Sequence, residues 1–583
     1  MRKLYLLPIF LVLFVPVVQS QYVVTTPTFP KDTGSVAITV DVSKGNKALF
    51  NYPAPDKVYI HTGVILGDNA SPWDSVPFTW GTANAAAKVT SLGNNKYRYT
   101  IADIRALYQV PANVPIRKIA FLLRDEAGNT VQRNADGSDM YIQLYGSPLA
   151  SKFLQPASEP TFVPKSELIQ KNVGDNVSVA YASNKPALLR LFYDGTKVGE
   201  TNGTLIDGSI LVNTPGNHQI IATSTAGSEN VADTINFFVA SPVAIAPLPT
   251  GVRDGINYEA GDTSVVMVLY APGKQRVAVI GDFNNWTESA EYQMNITPDG
   301  KRFWVRIKGL VAGKEYGLQY LVNSTLRIAE PYAEKVLDPD NDSFIPSSVN
   351  PEPHPYPTGK TTGIVSIIQT AATPYTWQST SFQRPDKRTM AVYELLLRDF
   401  LAAPNWQTLK DTIGYLKRLG INAIELMPFN EFEGNLSWGY NPSFYFAPDK
   451  YYGTKNKLKE FIDLAHQNGI AVIMDIALNH SFSQSPLVQL YFDNANNRPD
   501  PSNPWFNPAA KHAFNVGYDM NHESAATKYF TSRVVEHWLK EYRIDGFRFD
   551  LSKGFTQKKT CDDAGGNCDV GAWSAYDASR VAI

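Results

Sequence analysis

The hexapeptide DGFRFD, residues 545–550, has the pattern of a β-strand that ends in charged residues. Because side chains alternate along a strand, Arg548 and Asp550 share one face of it. Phe547 and Phe549 share the other face, where we expect them to be buried. A guanidinium near a carboxylate favours the ionised form, which suits an aspartate that attacks carbon. The alternative is a structural Arg/Asp pair that closes the strand.

A second strand-like stretch lies earlier in the chain, at IAVIMD, residues 470–475. This apolar run ends in a carboxylate, Asp475, and Asn479 and His480 follow it. Parallel α/β folds keep their functional sites at the carboxyl ends of strands. We therefore expect these polar groups to lie on the same rim as the charges of the hexapeptide. For His480 alone, a structural role is the alternative.

Apolar strands alternate with amphipathic helices through this part of the chain, as a parallel barrel requires. Apolar residues recur at helical spacing over residues 406–416, 458–465 and 530–542, which predicts one helix in each stretch. Each helix leads into a strand, so the predicted order is β-α-β-α-β-α-β. A long segment, residues 481–523, separates the third strand from the third helix.

The residues DIALNH followed by GFRFD resemble the first and second signature regions of the α-amylase family of (β/α)8 glycoside hydrolases. Three earlier stretches resemble other parts of that family in the expected order. They are MAVYEL (390–395) for the first barrel strand, GINAIELMP (420–428) for the second, and WGYNP (438–442) for a loop with an aromatic platform. The resemblance implies that residues 481–523 form the protruding domain B of this family.

The resemblance also implies a role for each matching residue. Asp550 would be the catalytic nucleophile that forms a covalent glycosyl-enzyme, and Arg548 would keep it ionised and oriented. In the substrate-binding group, His480 would hydrogen-bond the sugar and Tyr440 would stack beneath its ring. Asp475, placed in the same group, would brace Arg548 rather than contact the sugar.

Asn479 matches a position that often binds a structural Ca²⁺ in this family. A calcium ion takes six to eight oxygen ligands, and the sequence identifies no others here. The reaction that the resemblance implies requires no other cofactor. We therefore expect no required cofactor, with a structural calcium ion at Asn479 as the one metal to consider.

The resemblance covers the first four strands of a barrel, and the chain then ends at Ile583. A (β/α)8 barrel has eight strands and takes about 250 residues. The family carries its general acid/base Glu after the fifth strand and a stabilising Asp after the seventh, so neither has a position here. Retaining hydrolysis needs two carboxyl groups about 5 Å apart. We expect a truncated fragment that is inactive and whose last third does not fold stably, because sheet edges are exposed.

Three β-rich segments precede the barrel, and the predicted boundaries are 21–147, 148–241, 242–357 and, for the partial barrel, 358–583. The first is predicted to be a β-sandwich with a starch-binding role, since Trp73 and Trp80 are candidates for stacking on glucan; core packing is the alternative. The second is predicted to be an immunoglobulin-like spacer with strands at 176–181, 188–193, 218–223 and 234–239.

The third segment carries GDFNNW (281–286) and AEPYA (329–333). Both resemble the early-set domain that precedes the barrel in glycogen-branching and debranching relatives. We expect Phe283 and Trp286 to pack inward. The predicted fold class is thus multidomain, with N-terminal all-β sandwiches followed by the first half of a (β/α)8 barrel.

The first 20 residues have the features of a secretory signal peptide: a basic start, an apolar run from Leu4 to Val18 and small residues before a cleavage site after Ser20. The run is too short for a membrane span. We therefore expect an exported protein, periplasmic or secreted. Cys561 and Cys568 are predicted to form a disulfide there, with two free thiols as the alternative.

The composition excludes one class of partner and is compatible with another. A net charge of -2 provides no basic field for nucleic acid. Aromatic residues make up 12% of the chain, which is compatible with carbohydrate contacts and equally with β-sandwich cores.

The function predicted from the sequence is a retaining hydrolase of α-glucan, meaning starch, glycogen or maltooligosaccharides, of which this chain is the N-terminal part. Two alternatives stay open. One is a secreted, non-catalytic glucan-binding protein with a vestigial barrel, and the other is a debranching or transferase member of the same family. A Glu after a fifth strand and a His-Asp pair after a seventh would favour an enzyme.

Overall fold

The computed structural model describes residues 21–582 except 167, 168, 170 and 352. The predicted signal peptide lies outside the described residues, and export stays a prediction. The chain divides into two compact units, Met1–Ser241 and Pro242–Ile583. No helix in the described part of the chain is long and apolar enough to cross a membrane.

The first unit begins with two four-stranded antiparallel sheets that enclose one apolar core. Its elements are β1 (Val23–Thr26), β2 (Val36–Asp41), β3 (Val58–Ile65), β4 (Thr90–Gly93), β5 (Lys96–Ile101), α1 (Ile104–Tyr108), β6 (Lys118–Asp125), β7 (Val131–Gln132) and β8 (Met140–Gln143). One sheet has the order β1-β2-β5-β4, and in the other β6 pairs with β3, β7 and β8. Alternating buried residues along β2 and β5 supply one side of the core.

Long antiparallel strands make up the rest of this unit. They are β9 (Ser151–Gln155), β10 (Ser158–Glu159), β11 (Lys165–Ser166), β12 (Asn176–Tyr193), β13 (Thr196–Leu211), β14 (Gly216–Ala226) and β15 (Glu229–Val239). The predicted strands 176–181 and 188–193 are two halves of β12, joined through an irregularity between Ala182 and Ala187. The prediction missed β13, which pairs along most of β12. Its three internal glycines and its mostly exposed side chains hide the strand pattern.

The second unit starts with two further antiparallel sheets. Their strands are β16 (Gly255–Tyr258), β17 (Ser264–Tyr270), β18 (Val277–Gly281), β19 (Asn295–Ile296), β20 (Arg302–Lys308), β21 (Glu315–Val322), β22 (Leu326–Ile328), β23 (Val336–Leu337) and β24 (Val365–Gln369). The inward packing predicted for Trp286 is confirmed, because its ring is buried and its Nε1 donates to Asp282 Oδ1 over 3.0 Å. Phe283 is partly buried against a different apolar cluster, the large core that continues into the barrel region.

The remaining strands belong to the barrel region. They are β25 (Val392–Leu395), β26 (Ala423–Leu426), β27 (Ala471–Ile476), β28 (His480–Ser481), β29 (Phe492–Asp493), β30 (Arg498–Pro499), β31 (Tyr518–Asp519) and β32 (Gly546–Phe549). The helices are α2 (Leu397–Phe400), α3 (Trp406–Asp411), α4 (Ile413–Arg418), α5 (Lys455–Gln467), α6 (Pro486–Gln489), α7 (Ala525–Glu541), α8 (Val570–Ser574) and α9 (Ala578–Ala582). One continuous apolar core joins the preceding sheets to this region.

Four parallel strands in the order β25-β26-β27-β32 form the barrel sheet of the described residues. The predicted fold class, β-sandwiches followed by half of a barrel, is confirmed. The helix predicted over 406–416 is divided into α3 and α4, because Thr412 Oγ1 bonds back to the Thr408 carbonyl at 2.7 Å and Gly414 weakens the helix.

The two phenylalanines of the hexapeptide differ in burial. Phe547 packs against the core, as expected, whereas Phe549 is 38% exposed. The expectation that Phe549 is buried is therefore wrong. The physical reason is that β32 is an edge strand of the four-stranded sheet, so nothing covers its outer face fully. Close after this strand, Cys561 and Cys568 form a disulfide.

Candidate active site

The candidate site lies where β27 and β32 end side by side. The two strands are parallel, and Asp475 is the register partner of Arg548. Residues that are partners across a parallel pair project to the same side of the sheet. The ends of these two strands therefore bring together charges that are far apart in the sequence.

Arg548 lies between two carboxylates. Its Nη1 is 3.0 and 3.1 Å from the two oxygens of Asp475 and 2.5 Å from Asp550 Oδ1. The Asp475 side chain is 0% exposed, whereas that of Asp550 keeps 24% of its surface accessible. Asp475 is therefore shielded from a ligand, while Asp550 is the one of these two carboxylates that can reach it.

The buried carboxylate is costly to ionise. Burial raises the pKa of Asp475 to about 6, although the hydrogen bond from Tyr440 and the charge of Arg548 act in the opposite direction. Burial lowers the pKa of Arg548, but the charges of Asp475 and Asp550 outweigh it and leave that pKa raised. The guanidinium is thus a permanent cation at the centre of the site.

Tyr440 reaches the same carboxylate from the loop that follows β26. Its hydroxyl donates to Asp475 Oδ2 over 2.6 Å, and its ring remains partly exposed. Gly439 before it has φ +87, and a Cβ there would lie 2.1 Å from the Pro428 carbonyl oxygen. Only glycine fits that backbone position, so the turn that presents Tyr440 depends on it.

His480 is buried beside this loop and donates from Nε2 to the Tyr440 carbonyl over 2.8 Å. Burial lowers its pKa, so the ring is neutral near pH 7. Its Nδ1 has no hydrogen-bond partner among the described residues. The predicted contact with a sugar hydroxyl stays a prediction, because the partnerless Nδ1 is itself buried.

Two acidic residues of the site were missed from the sequence. Glu394 on β25 and Glu425 on β26 are register partners, and their carboxylates lie with that of Asp475 within 4.8 Å of one another. Burial and the charge of Glu394 raise the pKa of Glu425. The available signal was a lone Glu inside each apolar strand, at YEL and IEL, where alternation places it on the inner face.

Asn479 is the residue to which the family resemblance assigns a calcium ion. Its side chain is buried, and neither polar atom has a hydrogen-bond partner in the described part of the chain. Asp519, which pairs with His480 across β28 and β31, accepts from Asn507 over 2.8 Å with Oδ2, whereas its Oδ1 lies 3.2 Å from His512 Nε2 and has no hydrogen-bond partner among the described residues. The described contacts identify no set of six to eight oxygen ligands around Asn479, so the calcium ion stays a prediction, and no step below uses one.

The raised pKa of Asp475 predicts a pH-dependent stability. The unfolded chain loses this proton near 3.8 and the folded chain near 6, so between these values the folded state binds more protons. The free energy of unfolding contributed by Asp475 is therefore full below pH 3.8 and falls as the pH rises to 6, by up to about 3 kcal/mol.

Urea unfolding of the chain and of Asp475→Asn from pH 4 to 8 measures this contribution. The free energy of the chain relative to that of the variant should fall between pH 4 and 6.5 and then stay level. Two parallel pH curves would contradict the assignment.

Two segments of the second unit match known protein families. Residues 378–516 match the model of the α-amylase catalytic domain, and residues 255–333 match carbohydrate-binding module 48, the isoamylase N-terminal domain. The resemblance predicted from the sequence is confirmed for these two segments. The catalytic-domain match ends before β32, so the roles of Arg548 and Asp550 stay predictions.

The individual relatives include enzymes with different activities. A 1,4-alpha-glucan branching enzyme of Cupriavidus pinatubonensis is 29% identical over 310 residues, which are 50% of this chain and 38% of that enzyme. A pullulanase of Bacillus subtilis is 35% identical over 160 residues, 24% of this chain and 21% of the pullulanase. The chain thus spans about two fifths of the length of the branching enzyme it matches.

A solved structure gives a weaker likeness. The pullulanase of Paenibacillus barengoltzii aligns over 52% of this chain and 49% of its own, with 18% identity and a TM-score of 0.41.

Proposed function

We propose that this chain is the N-terminal part of a retaining α-glucan hydrolase with Asp550 as its nucleophile. The observation that carries the proposal is the placement of Asp550, partly exposed at the end of a barrel strand and paired over 2.5 Å with a guanidinium that a buried Asp475 holds from behind. A structural ion pair would need no accessible carboxylate. The match to the α-amylase catalytic domain supports the choice of glucan.

In the proposed reaction, the Asp550 carboxylate attacks the anomeric carbon while the bond from that carbon to the leaving oxygen breaks. The leaving oxygen takes a proton from a general acid, and a covalent glycosyl-Asp550 ester forms. Water then attacks the same carbon, gives its proton to the same group acting as base, and releases Asp550. Arg548 orients Asp550, and Tyr440 offers its ring to the sugar.

The general acid is not assigned to a residue of this chain. The family resemblance places it after a fifth barrel strand, and the described barrel sheet has four strands. We therefore propose that the 583-residue chain binds α-glucan without cleaving it, and that cleavage requires the full barrel.

A second candidate function is glucan transfer in place of hydrolysis. The observation that favours it is the match to branching enzymes over half of this chain. Both reactions share the glycosyl-Asp550 intermediate and differ only in whether water or a sugar hydroxyl attacks it. The residues described around Asp550 are compatible with either acceptor.

The proposal is tested by comparing this chain with a chain extended to a complete eight-stranded barrel. We expect both to migrate slowly in gels containing amylopectin, and only the extended chain to release reducing ends from it. Proton NMR should show the α-anomer as the first product, because two displacements retain the configuration. A first product in the β configuration would contradict the assignment of Asp550 as nucleophile. New branch points without new reducing ends would favour glucan transfer over hydrolysis.

A further inference from the structure

A second aromatic surface lies in the first unit, far along the chain from the barrel residues. We call it the Trp80 platform and define it as Trp80 with His61 and Arg124. The Trp80 ring centroid is 5.0 Å from that of His61 at an angle of 86°, and the Arg124 guanidinium carbon is 5.6 Å from the Trp80 centroid. Trp80 nevertheless remains 43% exposed.

The two tryptophans of this region differ in what they do. Trp73 also contacts His61, with ring centroids 5.8 Å apart, and packs against two buried apolar clusters. Core packing therefore accounts for Trp73. It does not account for Trp80, whose ring contributes to none of the apolar clusters of the described residues.

The exposed ring is nevertheless held in place. Gly128 has φ +79, and a Cβ there would lie 2.6 Å from Trp80 Nε1, so the turn after β6 closes directly onto the indole. Arg124 is fully buried and donates to the carbonyl oxygens of Asp125, Glu126 and Thr82 over 2.8 to 3.0 Å. A ring fixed before binding loses little conformational entropy when a ligand stacks on it.

The surroundings fit a small, flat ligand with a polar edge. Glu126 adjoins the platform, because its carbonyl oxygen accepts a hydrogen bond from Arg124. Its side chain forms an exposed ion pair with Lys57 at 3.5 Å. A stable protein interface buries about 800 Å² on each partner, far more than one indole provides. A sugar ring presents a face of C–H bonds to the electron-rich indole and hydroxyls to polar neighbours.

We propose that the Trp80 platform binds the glucose rings of an α-glucan chain by stacking on the indole. The choice of α-glucan rests on the proposed function of the barrel. A second point of attachment on the same polymer raises the effective concentration of glucan near the barrel site without changing the chemistry there. The platform is thus a substrate-holding surface in a different unit from Asp550.

The test uses the full chain in a Tyr440→Ala background, which weakens the proposed barrel contact and leaves the segment that matches carbohydrate-binding module 48 unchanged in every variant. We expect Trp80→Ala to weaken binding to amylopectin, measured by affinity gel electrophoresis, by about tenfold or more. Trp80→Tyr, which keeps an aromatic face, should retain most of the affinity. Phe50→Ala, at a ring of the same sandwich that is 47% exposed, should change nothing.

A further variant tests the position of the ring rather than its presence. Gly128→Ala leaves Trp80 in the chain, but the added methyl group displaces the indole ring. Amylopectin binding should therefore fall, and the tryptophan fluorescence should shift. Unchanged amylopectin binding in Trp80→Ala and Gly128→Ala, with unchanged far-UV circular dichroism, would show that the Trp80 platform does not bind α-glucan. It would not affect the proposed function of the barrel. Trp80-dependent binding of laminarin or xylan, without binding of amylopectin, would overturn the α-glucan assignment of the platform and leave that of the barrel site to its own test.

Discussion

Replacing Asp550 by Asn is expected to lower kcat/KM for starch by about 10⁴-fold or more in a chain extended to a complete barrel, while starch binding changes by less than about twofold. The amide has the same shape but cannot attack the anomeric carbon, so the first displacement has no nucleophile. Its oxygen can still accept from Arg548, whose Nη1 lies 2.5 Å from Asp550 Oδ1, so the site keeps its shape. Initial rates and amylopectin gels measure the two effects separately.

Asp563→Asn is the matched control for this experiment. Asp563 lies after the same strand, is exposed and pairs only with Lys559 among the described residues. The same chemical change there should leave both rate and binding unchanged. An Asp550→Asn enzyme with ordinary turnover would show that another group attacks the sugar.

Replacing Arg548 by Met is expected to damage both stability and activity. Met keeps much of the volume of Arg548 but leaves the Asp475 carboxylate, 0% exposed, without its positive partner. A buried charge left without a partner costs about 3–5 kcal/mol. Because the pKa of Asp475 is already about 6, we expect the loss at pH 8 and a much smaller one at pH 5, where Asp475 is protonated.

The activity of Arg548→Met should fall by about 10²-fold or more, because Asp550 loses the cation that orients it. Two variants separate this effect from the stability loss. Asp475→Asn combined with Arg548→Met should recover most of the stability at pH 8 and none of the activity. Arg548→Lys should retain the charge but lose part of the activity, since an ammonium group cannot reproduce the planar fork. An equal loss of stability, relative to the unsubstituted chain, at pH 5 and pH 8 would contradict the account.

The meeting of Asp475 and Arg548 could be predicted because it depends on two simple rules. Side chains alternate along a strand, and parallel strands end at the same edge of a sheet. DGFRFD and the strand before Asn479 follow both rules, and the structure pairs Asp475 with Arg548 in register. The bracing of Arg548 by Asp475 was expected from the family resemblance, and the hydrogen bonds of Arg548 have that geometry.

Other features depend on contacts that one sequence does not contain. The pattern of β13 is hidden by its glycines, and the exposure of Phe549 depends on which elements cover the edge of β32. The hydrogen bond from His480 Nε2 to the Tyr440 carbonyl depends on the path of the loop that carries Tyr440. The grouping of Glu394 with Glu425 depends on strand register, which the sequence of either strand alone does not determine.

The central claim is that Asp550 becomes covalently attached to the sugar. A 5-fluoro-α-glucosyl fluoride tests it most directly in the extended chain, because fluoride leaves without protonation and the ring fluorine slows release of the intermediate. After brief reaction and digestion with trypsin, mass spectrometry should find the fluoroglucosyl group on the peptide of residues 549–553, attached to Asp550. A sugar attached instead to Asp475 or Glu425 would contradict the account.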